Sequence, residues 1–191
     1  MSSIAIVFHS GYGHTKVVAE AVARGAEKVP GTAVLLVPVE DVEQHWDALD
    51  AADAIVFGAP TYMGSASAPF KTFMDASSKK WFTLAWKDKL AAGFTNSASQ
   101  SGDKLSTLFQ LAVFAAQHSM LWIGTGLPPG NNNSKGSVED LNRLGSFLGV
   151  MTQSNADQGP DVAPPKADQS TAEHLGTRVA EATQRWLNGK A

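Results

Sequence analysis

The stretch Ser10-Gly11-Tyr12-Gly13-His14-Thr15 lies between an apolar run ending at Phe8 and a segment of helical periodicity, and the chain carries no lysine or arginine from its start to Lys16. A glycine-rich turn from a strand into a helix offers an anion its backbone N–H groups and the positive end of the helix dipole. Ser10 and Thr15 add hydroxyl donors that can converge on one monophosphate. The same residues also suit a tight turn with a helix cap. His14 fits either capping or phosphate contact.

Three motif readings of this stretch fail. A dinucleotide fingerprint needs a third glycine where this chain has Lys16. A nucleoside-triphosphate loop needs a Gly-Lys-Ser/Thr ending, which His14-Thr15-Lys16-Val17 does not supply. A phospho-acceptor site needs acids after the first strand and an aspartate after the third, and positions 9 to 14 hold no acid while Gly58-Ala59-Pro60 follows the third. Ser10, His14 and Asp75 could suggest a hydrolytic triad, yet no G-x-S-x-G elbow occurs.

Two further loops bear chemistry. Gly58-Ala59-Pro60-Thr61-Tyr62-Met63-Gly64 joins aromatic and aliphatic contact, from Tyr62 and Met63, to polar groups at Thr61. Asn96-Ser97-Ala98-Ser99-Gln100-Ser101-Gly102 is small and rich in donors. A flat heteroaromatic ring with one polar edge needs both kinds of surface. Packing of Tyr62 at a sheet end is the plain alternative for the second loop, and an ordinary connection for the third.

The elements that position these loops follow from periodicity. Strand-like runs cover Ile4 to Phe8, Ala33 to Val37, Ala54 to Phe57, Leu90 to Thr95 and Met120 to Ile123, the last resuming at Leu148 to Thr152 after an interruption that includes Gly124 to Gly136. Helical stretches cover Thr15 to Val29, Val42 to Leu49, Phe70 to Phe82 with Pro69 at the first position, Lys104 to Gln117, and a final helix through Ala172 to Trp186. Alternating units with strands apolar on both faces predict a parallel sheet covered by helices on both sides. Such sheets bind ligands at the carboxyl ends of their strands. All three loops fall at that end. One domain over 1–191 is expected, with the 124–136 interruption a surface loop or an oligomer contact.

Composition narrows the function. A net charge of −3 gives no basic footprint for nucleic acid or a membrane surface, and no apolar run approaches the ~20 residues of a membrane span. The N-terminal Met1-Ser2-Ser3 has no charged region of a secretory signal, so a cytoplasmic location is expected. No cysteine is present, so redox chemistry requires a bound cofactor.

The first loop resembles the phosphate loop of flavodoxins, where hydroxyls and amides surround the FMN phosphate without a cationic side chain. The second, "GAPTYMG", resembles the flavin-ring loop of flavodoxin-like quinone reductases. With "PFKTFMDASSKKW", "KLAAGFTNSASQSGDKLSTLFQL", "AAQHSM" and a final helix ending "LNG", the resemblance to the WrbA-type branch, FMN-dependent NAD(P)H:quinone oxidoreductases, extends over essentially the whole chain. It implies an α/β flavodoxin-like three-layer α/β/α sandwich on a five-stranded parallel sheet, the fifth strand interrupted by an insertion. It implies FMN, with NAD(P)H as co-substrate, a quinone-like small-molecule acceptor, two-electron (hydride) transfer in ping-pong fashion and a homodimer or homotetramer. The flavin would touch Ser10, Gly11, Tyr12, Gly13, His14 and Thr15; Pro60, Thr61, Tyr62, Met63 and Gly64; and Asn96, Ser97, Ala98, Ser99, Gln100 and Gly102. Tyr12 and Trp81 would face the substrate space, and His118 would approach the flavin from its helix end; a histidine there also suits the helix dipole. No protein acid or base is required. Thr15, Tyr62 and Ser99-Gln100-Ser101 depart from the branch's isoleucine or valine, its arginine and its Thr/Gly run, and Thr15 is more flavodoxin-like. The alternatives are an electron-carrying flavodoxin, for which 18 acids against 15 bases give little acidic bias, and a non-enzymatic flavin-binding protein.

Overall fold

The computed structural model describes residues 1–189; the last two residues of the expected 1–191 span lie outside the described residues. Strands β1 (Ser2–Phe8), β2 (Thr32–Pro38), β3 (Ala54–Tyr62) and β5 (Leu90–Ser97) are parallel, in the order β2-β1-β3-β5. Two short pieces complete the edge beside β5: β6 (Leu121–Trp122) pairs with its first half and β7 (Val150–Gln153) with its second. The fifth strand is therefore interrupted, as its two apolar runs predict. The strand order is that of the flavodoxin-like doubly wound sheet, whose switch point lies between β1 and β3.

Both faces of the sheet are covered. Ala5 and Val7 of β1 point into a core with Phe57, Phe73, Trp86, Leu108 and Leu111, under α3 (Ala68–Ala76) and α5 (Lys104–Gln117). Ile4, Ile6 and Phe8 point into the opposite core with Val18, Val22, Leu175 and Val179, under α1 (His14–Glu27) and α6 (Lys166–Asn188). This period-2 division of one strand between two apolar layers is why the strand runs lack polar alternation. Gly25 and Gly176 let α1 and α6 cross closely: a Cβ on Gly25 would collide with the Glu173 carbonyl, and one on Gly176 with that of Val22.

Three elements differ from the sequence reading. The stretch expected as a loop at 58–64 is strand as far as Tyr62, because Ala59 and Pro60 pair in register with Thr95 and Asn96. Met63 and Gly64, at φ 50° and 79°, then reverse the chain into β4 (Ser65–Ala66), the geometry of a two-residue hairpin. The helix expected over 70–82 is two, α3 and α4 (Ser78–Phe82), divided at Ser77, whose hydroxyl donates to the Met74 carbonyl. The helix expected over 42–49 is a 3-10 turn, Val39–Gln44, followed by α2 (Trp46–Ala51).

Candidate functional site

At the carboxyl ends of β1, β3, β5 and β7 the strand ends and their loops enclose a cleft of about 760 Å³. Tyr12, His14 and Thr15 come from the first loop, Pro60 to Met63 from the end of β3, and Asn96, Ser97 and Ala98 from the end of β5. Its size suits one small ligand.

The first loop turns at a glycine. Gly13 sits at φ 88°, and a Cβ there would meet Pro160 Cγ at 2.8 Å, so both backbone conformation and space require glycine. The first-turn N–H groups of α1 have no partner within the helix. Ser10 Oγ accepts from the Lys16 N–H at 2.9 Å. Ser10, Gly11 and Gly13, expected at the phosphate, shape the turn but are not on the cleft wall, which takes Tyr12, His14 and Thr15 from this loop. Thr15 is buried on the cleft wall. His14 Nε2 lies 2.8 Å from the Gln158 carbonyl, and because that oxygen can only accept, Nε2 carries the proton. His14 thus ties the first loop to 154–160. Beneath the loop, buried His9 places Nδ1 2.8 Å from Ser67 Oγ and packs edge-on to Tyr62, with ring centroids 6.5 Å apart.

The second wall is partly committed to internal bonds. Thr61 Oγ1 lies 2.8 Å from both Thr95 Oγ1 and Thr107 Oγ1, a buried threonine chain, so only its backbone remains for a ligand. Asn96 Oδ1 accepts from Thr152 and Ser154. Tyr62 packs edge-on to Tyr12, centroids 6.2 Å apart at 74°. Burial, then the neighbouring Tyr12, pushes the Tyr62 phenol above its usual pKa, so it stays protonated at neutral pH. Met63, at φ 50°, is fully exposed at the rim.

Ser99, Gln100 and Gly102, expected at the ring, are not on the cleft wall: Ser99 turns its carbonyl to Lys104, and Gln100 borders a separate groove under Phe109 and Phe147. Gly64 completes the hairpin instead. Two expected contacts fall at the opposite end of the sheet. His118 follows the last residue of α5, which runs back across the sheet, and is buried with its ring 4.3 Å from Trp86 and 4.8 Å from Phe114. Its Nε2 bonds Ser77 Oγ at 2.9 Å, Nδ1 has no partner, and burial lowers its pKa to about 4. The ring is thus enclosed by the core of its own chain and lies away from the cleft. Trp81 lies on α4, beside Lys80, whose ammonium bonds Asp50 of α2, and so does not face this cleft.

Ser154, Ala156, Gln158 and Gly159 complete the wall and were missed in the sequence. Their signal was topological: they follow the fifth strand and so fall at the same sheet end as the other three loops.

The profile of the NADPH-dependent FMN reductase family matches residues 10–132, which span the first three loops of the cleft. The chain belongs to that family. A flavodoxin, FldP, of Pseudomonas aeruginosa is 44% identical over 189 residues, covering 97% of this chain and 98% of the relative. An NAD(P)H dehydrogenase (quinone) of Archaeoglobus fulgidus is 30% identical over 207 residues, covering 97% and 99%. Among solved structures, a flavodoxin, WrbA-like protein from Agrobacterium tumefaciens superposes with a TM-score of 0.76 at 42% identity, covering 97% and 99%. The protein is WrbA-type and flavodoxin-like. Membership implies FMN as cofactor and NAD(P)H as co-substrate. The cleft fits FMN: its lining joins His14 and Thr15 of the first loop, the aromatic and aliphatic Tyr12, Tyr62 and Met63, and the small Ser97, Ala98, Ser154 and Ala156, with no lysine or arginine among them.

Proposed function

We propose that the protein is an FMN-dependent NAD(P)H oxidoreductase that reduces a quinone-like acceptor in two-electron steps, acting in the cytoplasm as a homodimer or homotetramer. The observation that carries this reading is the small-residue wall: Ser97, Ala98, Ser154 and Ala156 line the cleft without an aromatic among them, while the aromatic residues gather on the other side as Tyr12 and Tyr62. A ring bound here keeps one face uncovered, with room for a nicotinamide and then an acceptor. A carrier of single electrons needs no such room.

Bound FMN would supply the two-electron redox chemistry between a nicotinamide and the acceptor. The chain's own residues bind and orient. Ser10, Gly11, Gly13, Thr15 and the free first-turn amides of α1 would hold the phosphate; His14 ties 154–160 to this loop; the backbone of 60–63 and 96–98 would take the polar edge of the ring; Tyr12 would border the substrate space. Membership in a family with a quinone-reducing relative across its length supports the reaction.

One observation favours a second reading, an electron-transfer flavodoxin: the 44%-identical relative carries that name. Anaerobic mixing of the FMN-loaded protein with NADPH or NADH separates the two. Bleaching of the flavin band within the mixing time, followed by its return on adding benzoquinone, supports the enzyme. Slow bleaching over minutes removes it and leaves the carrier.

A further inference from the structure

Lys104 opens α5, a position at which a lysine is ordinarily solvated, yet its residue surface is 0% exposed. Its Nζ donates to Ser97 Oγ at 2.7 Å and to the Ser99 carbonyl at 2.6 Å. Ser97 lines the cleft, so the ammonium stands one hydrogen bond behind the wall. The turn is held from two more directions. Gln153 Nε2 donates to the Ala98 carbonyl at 2.8 Å. Gln153 in turn gives its backbone N–H to Asp168 Oδ2, and Asp168 is paired bidentately with Arg143 of the insertion, at 2.6 and 3.0 Å. The insertion, β7 and the start of α6 thus converge behind residues 97–99.

A buried ammonium is costly unless it is paired and hydrogen-bonded, and both acceptors of the Lys104 ammonium are neutral oxygens. The charged groups whose fields reach Lys104 are Asp168, which favours the ammonium, and Arg143, which opposes it. Strands β5 and β7, packed against this corner, carry no titratable side chain.

We propose that Lys104 is a positioning residue for the flavin: it holds the 97–99 turn in the form that puts Ser97 and Ala98 on the cleft wall and sets a positive charge behind that wall. The inference rests on the FMN reading above. Two electrons and one proton added to oxidised FMN leave the reduced ring with one more negative charge, which an ammonium behind the wall favours. Holding the turn also lowers the ordering cost of binding. Burial lowers the lysine's pKa to about 8, so both effects fade as pH passes that value.

The test is FMN binding to the apoprotein, followed by flavin fluorescence from pH 7 to 9.5, for the native chain and Lys104→Met. The second ionisation of the FMN phosphate, near pH ~6, is complete throughout this range. The native Kd is expected to rise across pH 8. The variant is expected to bind about tenfold more weakly at pH 7, the size of one lost charge-assisted hydrogen bond, with a flat profile and a lower two-electron midpoint potential. A variant within about twofold of the native chain at pH 7, with a parallel profile and an unchanged potential, overturns the proposal. If the variant does not fold, the native profile decides alone: a Kd constant from pH 7 to 9.5 overturns it. Native protein that binds no FMN at any pH overturns the functional reading and this inference together, and so is told apart from a failure of Lys104.

Discussion

The Nζ of Lys104 lies 2.7 Å from Ser97 Oγ, joining the first turn of α5 to the strand end that lines the cleft. The contact places a buried charge where the fold alone would be better served by a neutral side chain. Its pKa falls from 10.5 to about 8 through burial, so the unfolded chain binds the proton more tightly than the folded one. Lys104 therefore costs stability below pH 8, and that cost is relieved as pH rises from 8 to 10.5. At 1.36 kcal/mol per pKa unit the full window is worth ~3 kcal/mol. Denaturant melts of native protein and Lys104→Met should show the native chain gaining on the variant between pH 8 and 10. Equal slopes against pH would contradict this.

His118 and Ser77, 2.9 Å apart, give a second pH dependence with its window on the acid side. The Ser77 hydroxyl donates to the Met74 carbonyl, so Nε2 donates to Ser77 and Nδ1 is left unprotonated against the core. Protonation must put a charge beside Trp86 and Phe114. With its pKa lowered from 6.5 to about 4 by burial, the unfolded chain takes up the proton first. Stability from this group is intact above pH 6.5 and is lost as pH falls to 4, by ~3 kcal/mol at the limit. His118→Gln should flatten the thermal midpoint between pH 7 and 4.5 while leaving FMN affinity within about twofold at pH 7, since the ring lies at the far end of the sheet. A tenfold loss of affinity would return His118 to the site.

Gly13→Ala tests the cradle. At φ 88° an added Cβ meets both an unfavourable backbone well and the Pro160 ring. Loss of about 1–2 kcal/mol of apoprotein stability is expected from the backbone alone. FMN affinity should fall further, because Pro160 must shift and its neighbour Gly159 lines the cleft. Calorimetry with and without FMN measures both. A variant that binds as tightly as the native chain would show that the loop is only a turn.

The Arg143–Asp168 pair is buried on both sides, with side chains 8% and 2% exposed. Arg143→Ala leaves the Asp168 carboxylate in the interior with the Gln153 N–H as its remaining donor, and about 3–5 kcal/mol is expected to be lost. Replacing both residues by apolar ones of similar volume should recover most of that loss. Urea denaturation of the two variants makes the comparison, and a double variant no better than Arg143→Ala would show that the pair is not the source.

Much of the architecture was legible because it depends on local patterns. Five apolar runs free of alternation read as strands covered on both faces, and Gly13 between a strand and a helix marked a tight turn at the start of α1. Because every loop after a parallel strand emerges at one sheet end, the sequence also determined that the first three loops share a site. Its extent did not follow from local pattern. Whether Thr61 shows its hydroxyl or its backbone to the cleft depends on Thr95 and Thr107, brought beside it by strand register and by α5. His118 stands next to Lys104's helix in sequence but, at 1.5 Å per residue, α5 carries it about 20 Å back across the sheet. Lys104 reads as a solvated helix start, and only the packing of β5, β7, α6 and the insertion around it makes it a buried charge behind the cleft. Periodicity fixes which face an element buries; which polar groups meet there depends on contacts between residues far apart in the chain, and those only the tertiary structure decided.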